Sequence, residues 1–132
     1  MAVEDSQIYQ KAEKFAIRIV KLWKYLTNTK HEYEISTQLK RSGTSIGANT
    51  IEALYGASKK DFINKLYIAE KECNESKYWL KILYKTDYLT EEEYTSINND
   101  CMEIAKILAS IIKTSKKNLN FPPSTHNPPN NL

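Results

Sequence analysis

Four cations recur early in the chain at spacings of three, four and three: Lys11, Lys14, Arg18 and Lys21. On a helix of 3.6 residues per turn they share an arc of about 80°, and Tyr25 falls in the same arc. Cations interleaved with an aromatic suit a phosphate backbone whose bases can stack. A solvated lysine face has the same spacing, so the residue types name a candidate nucleic-acid-binding set beside that plainer alternative.

A second constellation joins Arg41 and Asn49 to Glu72 and Glu75. Two carboxylates three residues apart share a helix face and could serve as an acid and base pair. No nucleophile, metal ligand or oxyanion donor accompanies them, so an architectural ion pair with Arg41 is the simpler expectation. His31 and His126 are the only histidines, and neither stands in the Glu-x-x-His spacing of a di-iron bundle. No glycine-rich phosphate loop and no Arg-x-x-x-x-His ribonuclease pattern occurs. The expectation is a protein that is not an enzyme and carries no cofactor or metal.

The 132 residues carry 19 basic and 16 acidic side chains, a net charge of +3. So mild a bias selects no partner by itself, and distribution along the chain matters more. No apolar run approaches the roughly 18 residues of a membrane span, so no membrane partner is expected and the cytoplasm is the default compartment. Cys73 and Cys101 lie too far apart for a zinc knuckle or a CxxC pair and read as buried thiols.

What must position these groups is helical. All four prolines lie near the end and only three glycines occur, which argues against turn-rich sheet folds. A first helix from about Ser6 to Thr27 carries the stripe Ile8, Ala12, Phe15, Ile19, Leu22 and Leu26. A second, from about Tyr33 to Tyr55, has the seam Ile35, Leu39, Ser42, Ile46, Asn49 and Ala53, with Gly43 and Gly47 one turn apart beside it. Glycine costs about 1 kcal/mol in a helix interior, so the pair implies either close approach of another backbone or a local weak point. The third helix, opened by Ser58 and Asp61, carries Phe62, Leu66, Ala69, Cys73, Ser76, Leu80 and Leu83, flanked by the mixed row Ile68, Glu72, Glu75, Trp79 and Ile82. Thr90 and Glu93 form a capping box for the fourth, with the seam Tyr94, Ile97, Cys101, Ile104, Leu108 and Ile111.

Short links between four amphipathic helices predict an all-α, antiparallel up-down-up-down four-helix bundle. The bundle is assigned to residues 1–117 and a disordered Pro/Asn-rich tail to 118–132. In the hairpin of helices two and three, residues whose numbers sum to about 115 should lie level, pairing Ser42 with Cys73 and setting Arg41 beside Glu72 and Glu75.

The run Gln38 to Asn49, together with Glu52-Ala53, Ser58 to Phe62, Lys71-Glu72, Asn74-Glu75, Tyr78 to Leu80 and Ile111 to Lys116, resembles the bacterial four helix bundle protein family. Its members are encoded in intervening sequences of large-subunit ribosomal RNA genes, and its relatives include the accessory variability determinant proteins of diversity-generating retroelements. The resemblance spans about residues 8 to 117. Where many relatives read Ser-Ile-Pro-x-Asn-Ile-x-Glu-Gly, this chain has Gly47, Thr50 and Ala53, so it is similar to the branch reading Ser-Ile-Gly-Ala-Asn. The resemblance implies a homopentamer arranged as a barrel, with a basic surface that in the retroelement branch contacts nucleic acid and a reverse transcriptase. Five copies would display about 20 of the first helix's cations together, and non-specific binding grows steeply with phosphates neutralised.

Two function classes follow. One is a non-enzymatic homo-oligomer that binds structured RNA or an RNA/DNA hybrid through its basic surface. The other is a protein-interaction scaffold whose basic arc meets an acidic partner. Self-association is expected from the wide apolar arc of helix one, the two-faced second helix and the mixed row around Trp79. Lys24, Lys30, Lys113, Lys116 and Lys117 are candidates to extend the basic arc at a bundle end.

Overall fold

The computed structural model describes residues 3–120. Helices span Gln7–Asn28 (α1), Glu34–Leu54 (α2), Lys59–Lys85 (α3) and Glu91–Asn120 (α4), preceded by a single 3-10 turn at Val3–Asp5. They form an antiparallel four-helix bundle in which α1 packs along α2, α2 along α3 and α3 along α4. α1 and α4 approach each other far less closely and leave a groove between them.

Local capping explains the helix starts. The Ser6 hydroxyl accepts from the Tyr9 amide at 3.3 Å, and Ser58 accepts from Asp61 at 3.1 Å. Thr90 and Glu93 close the reciprocal box, each side chain accepting from the other's backbone N–H. α2 is capped differently. Tyr33 offers no side-chain bond, and the buried carboxylate of Glu32 accepts from the amides of Glu34, Ile35 and Ser36 at 3.3, 3.0 and 2.7 Å. A negative charge set on three orphan amides also complements the helix dipole. The α1–α2 and α3–α4 links turn through His31 and Asp87, both in the left-handed region.

The core follows the expected stripes with edge corrections. Ile8, Ala12, Phe15, Ile19 and Leu26 of α1 are buried, while Leu22 is half-buried at the open α4 side. On α2, Ser36, Gly43, Gly47 and Thr50 join the buried set, whereas Ile35 and Asn49 are half-buried. On α3 the buried residue of the first turn is Ile63, and Phe62 is half-buried. On α4 Ile112 is buried and Ile111 half-buried. Lys11 pairs with Glu103, so α4 has outrun the start of α1 by residue 111, and only its α3 side stays covered.

The α2–α3 register differs from the expected one by about one residue on each helix. Ser42 Oγ meets Ser76 Oγ at 2.9 Å in the core, Arg41 meets Glu75, and Lys65 meets Glu52, so the sums are 118, 116 and 117 rather than 115. Side chains lean toward their own helix N-terminus. In an antiparallel hairpin that lean carries α2 side chains away from the turn, so each meets an α3 residue further along. The fourth helix also exceeds expectation, since the three residues 118–120, assigned to the tail, continue α4. The rest of the expected disordered tail, residues 121–132, lies outside the described residues.

Gly43 and Gly47 are where α1 crosses α2. A Cβ on Gly43 would lie 3.0 Å from Ile19 Cγ1, whereas one on Gly47 would meet Ala12 at an ordinary 3.7 Å. Both glycines are thus used inside the protomer, and the close approach they announce is α1, not a second copy. Trp23 extends the crossing, donating to Thr37 Oγ1 at 3.3 Å with Lys40 Nζ 3.6 Å from its ring centroid. Gly47→Ala should raise stability by about 1 kcal/mol through helix propensity. Gly43→Ala should be less stable than Gly47→Ala, because Ile19 is fully buried and stiff about χ1. Urea unfolding of both variants checks the order.

Candidate nucleic-acid interface

Helical geometry divides the basic arc of α1 in two. By angle, Lys11 and Arg18 lie on the edge nearest the buried stripe, Lys14 and Lys21 on the outer edge, and Tyr25 between them. The inner pair is held by α4. Arg18 reaches across the groove, donating from Nη1 to Asp100 Oδ2 at 2.8 Å and from Nη2 to Ser96 Oγ at 2.7 Å. Lys11 Nζ lies 3.1 Å from Glu103 Oε2. Lys14 and Lys21 are exposed and form no hydrogen bond or ion pair with a described residue. Tyr25 is exposed, with Lys30 Nζ 6.0 Å from its ring centroid.

The α4 face opposite the arc is acidic over the same length, from Glu93 through Asp100 to Glu103. Asp100 and Glu103, like Ser96, carry the intramolecular half of the site that attention to cations alone misses. Their spacing of four and three already put them on one face. Both ion pairs are substantially exposed, and exposed pairs contribute only about 0–1 kcal/mol. A polyanion can therefore compete for Lys11 and Arg18, at the cost of leaving α4 carboxylates without their partners.

Two clefts follow the groove. One is lined by Lys11, Lys14, Phe15, Arg18, Asp100 and Glu103. The next has Leu22, Leu89 and Ile97 among its lining, with Lys21, Tyr25 and Glu93 beside them. The surface is thus a mixed-charge groove with an outer cationic rim rather than a uniformly basic arc. The proposed extensions divide: α1 runs antiparallel to α4, so Lys24 and Lys30 lie at one end of the bundle and Lys113, Lys116 and Lys117 at the other.

The polar seam of α2 and α3 is partly assembled. Glu75 Oε2 accepts from Arg41 Nη2 and from Trp79 Nε1, each at 3.1 Å. Asn49 is not part of that cluster and donates to the Ser45 carbonyl of its own helix at 2.9 Å. Glu72 stands beside the cluster without joining it, its Oε1 enclosed and without a partner. Burial, then the Glu75 charge, push its carboxyl above the ordinary glutamate range, with Arg41 and Lys71 opposing. Cys73 and Cys101 are buried thiols, with Cys101 Sγ donating to the Cys73 carbonyl at 3.4 Å. Hydrogen bonding of its thiol to the Cys101 side chain, then burial, push Cys73 up, so it stays protonated. No cluster of three or more metal-ligating side chains occurs among the described residues, and none of their helices is long and apolar enough to cross a membrane.

Residues 4–110 match the family model of the 23S rRNA-intervening sequence protein. The chain is also similar to a crystal structure of a protein of unknown function from the S23 ribosomal protein family of Bacteroides thetaiotaomicron VPI-5482. That likeness has 56% sequence identity and a TM-score of 0.80, covering 80% of this chain and 95% of the other. No curated protein matches the chain.

A raised Glu72 means that the folded state binds more protons than the unfolded one between the ordinary glutamate value and the raised value. Stability therefore falls as pH rises through that window. Glu72→Gln should melt higher than the parent at neutral pH and converge with it near pH ~4. Thermal melts of the two proteins across that range check the sign.

Proposed function

The chain belongs to the 23S rRNA-intervening sequence protein family, and on that footing we propose that it is a non-enzymatic homo-oligomer that binds nucleic acid, as structured RNA or an RNA/DNA hybrid. The observation that supports this reading most is the outer rim of α1. Lys14 and Lys21 project without carboxylate partners among the described residues, one on each side of Arg18 in sequence and with Tyr25 beside them. Such a rim serves phosphate contacts, which are insensitive to sequence, and the exposed tyrosine offers a base a stacking face. The natural setting is an accessory to an rRNA-associated element or to a reverse transcriptase. The cytoplasm is the compartment in which such partners would be met.

Self-association rests on less than the sequence suggested, since α1 absorbs Gly43 and Gly47 and Trp79 is half-buried and bonded to Glu75. What supports it is the homopentamer that the family resemblance implies, together with apolar groups left outside the core, with Ile17 52% exposed on α1, Ile68 38% on α3 and Met102 44% on α4. Pooling of rims across copies multiplies the phosphates one particle can neutralise.

A protein-interaction scaffold is the second reading, favoured by the groove beside that rim, where Leu22, Leu89 and Ile97 lie between charges of both signs. Such a groove fits an amphipathic helix better than a polyphosphate. The two readings separate by salt. In an anisotropy titration with a labelled RNA hairpin, log affinity should fall steeply with log salt, and Lys14→Gln with Lys21→Gln should lower the slope by about 1.5 per protomer engaged. Binding that ignores both salt and these substitutions favours the scaffold. Light scattering should return a multiple of the 15.3 kDa protomer, with a pentamer as the expected particle, and a monomer would remove the oligomer.

A further inference from the structure

The strongest unexplained charge pattern lies away from the groove. α4 segregates its charges along its length, with Glu91, Glu92, Glu93, Asp100 and Glu103 in its first half and only lysines, Lys106, Lys113, Lys116 and Lys117, after Glu103. Its last turns therefore carry four cations and no carboxylate. Lysines near a helix C-terminus are favourable for the dipole, so this half alone has a structural reason.

The α3 start has none. Lys59 and Lys60 occupy its first turn, where the helix dipole is positive and cations are unfavourable. Asp61 is the only acid of that turn, and Ser58 already satisfies the Asp61 amide. Two exposed lysines held against the dipole suggest a demand other than stability.

The bundle brings both sets to one end. Lys116 Nζ meets Tyr67 Oη at 2.8 Å and lies 5.5 Å from its ring centroid, fixing the end of α4 against the first third of α3. At 1.5 Å per residue, Lys59 and Lys60 stand about 10–12 Å beyond Tyr67 along α3. Tyr55, 69% exposed, caps α2 at the same end. The nearby Lys65 is already paired with Glu52 at 2.7 Å. Lys59, Lys60, Lys113 and Lys117 have no carboxylate partner among the described residues.

We infer that this end of the bundle, formed by Lys59, Lys60, Lys113, Lys116 and Lys117 with Tyr55 and Tyr67, is a phosphate-backbone contact surface for nucleic acid, separate from the α1 rim. The inference rests on the nucleic-acid reading above and deepens it by placing the larger share of affinity here. Five cations gather at this end without the acidic helix that neutralises the groove. Two exposed tyrosines offer flat faces to unstacked bases. No side chain here is placed to read base edges, so the contact is insensitive to sequence.

The test uses the full chain and a labelled RNA hairpin in an anisotropy titration across salt. Three variants are compared: Lys59, Lys60, Lys113, Lys116 and Lys117 all to Gln, then Lys14→Gln with Lys21→Gln, and as control Lys71→Gln, Lys77→Gln and Lys81→Gln further along α3. The five-lysine variant should lose at least about tenfold in affinity near 100 mM salt, with the slope falling by about 4 units, well beyond the control. Its fold is expected to survive, because all five side chains lie outside the core and relief of two cations at the α3 start offsets the loss of favourable ones at the α4 end, and a thermal melt checks it. If only the α1 variant weakens binding, this inference is overturned and the nucleic-acid reading stands. If the parent chain does not bind the hairpin, both fall. Equal losses in the five-lysine variant and the control overturn the inference by reducing it to net charge. So does capture of the chain on phosphatidylserine vesicles through these lysines with hairpin binding unchanged.

Discussion

The crossing of α1 over α2 fixes everything that the surface of this protein can offer. Gly43 brings α2 close enough for Ile19 to sit where a side chain would otherwise stand, and Gly47 packs over Ala12 one turn further along. Once that contact sets the rotation of α1, the angular position of each cation follows from its number alone. Lys11 and Arg18 must face α4, and Lys14 and Lys21 must face outward. A rotation of about 60° would turn Lys14 and Lys21 toward α4 and drive Lys11 and Arg18 into the buried stripe. The glycines therefore act on function at a distance, through the azimuth of the helix rather than by contact with any ligand.

This arrangement also explains why a chain with a net charge of only +3 can present strongly local fields. Acidic side chains of α4 are spent within the groove, holding Lys11 and Arg18. The positive surplus is displaced to the outer rim and to the end where α4 meets the start of α3. Charges separated by more than a Debye length of about 8–10 Å act nearly independently in physiological salt. The average charge is thus a poor guide to what an approaching polyanion meets.

Much of this was legible in the sequence, because capping and periodicity are local. Ser6, Ser58 and the Thr90–Glu93 box bond as their spacing required. The Glu32 cap was not legible, since nothing in a Glu-Tyr-Glu run shows that the first carboxylate will fold onto three amides. The α2–α3 register slipped because numbering counts Cα positions while side chains meet further along. Gly43 and Gly47 signal either a close approach or a weak point, and a single sequence cannot say which of the two holds or whether the approaching backbone belongs to the same chain. The basic arc was visible too. Its division into held and free cations needed the rotation of α4, which places Asp100 opposite Arg18 and depends on contacts far apart in sequence.

Lysine acylation read by mass spectrometry, with and without a bound RNA hairpin, examines the central claim directly. The fold predicts that Lys14 and Lys21 react readily in the free protein, that Lys11 reacts more slowly because Glu103 holds it, and that RNA shields the first two. Uniform reactivity of all three lysines, or shielding confined to Lys71, Lys77 and Lys81 on α3, would contradict the division of cations on which the account stands.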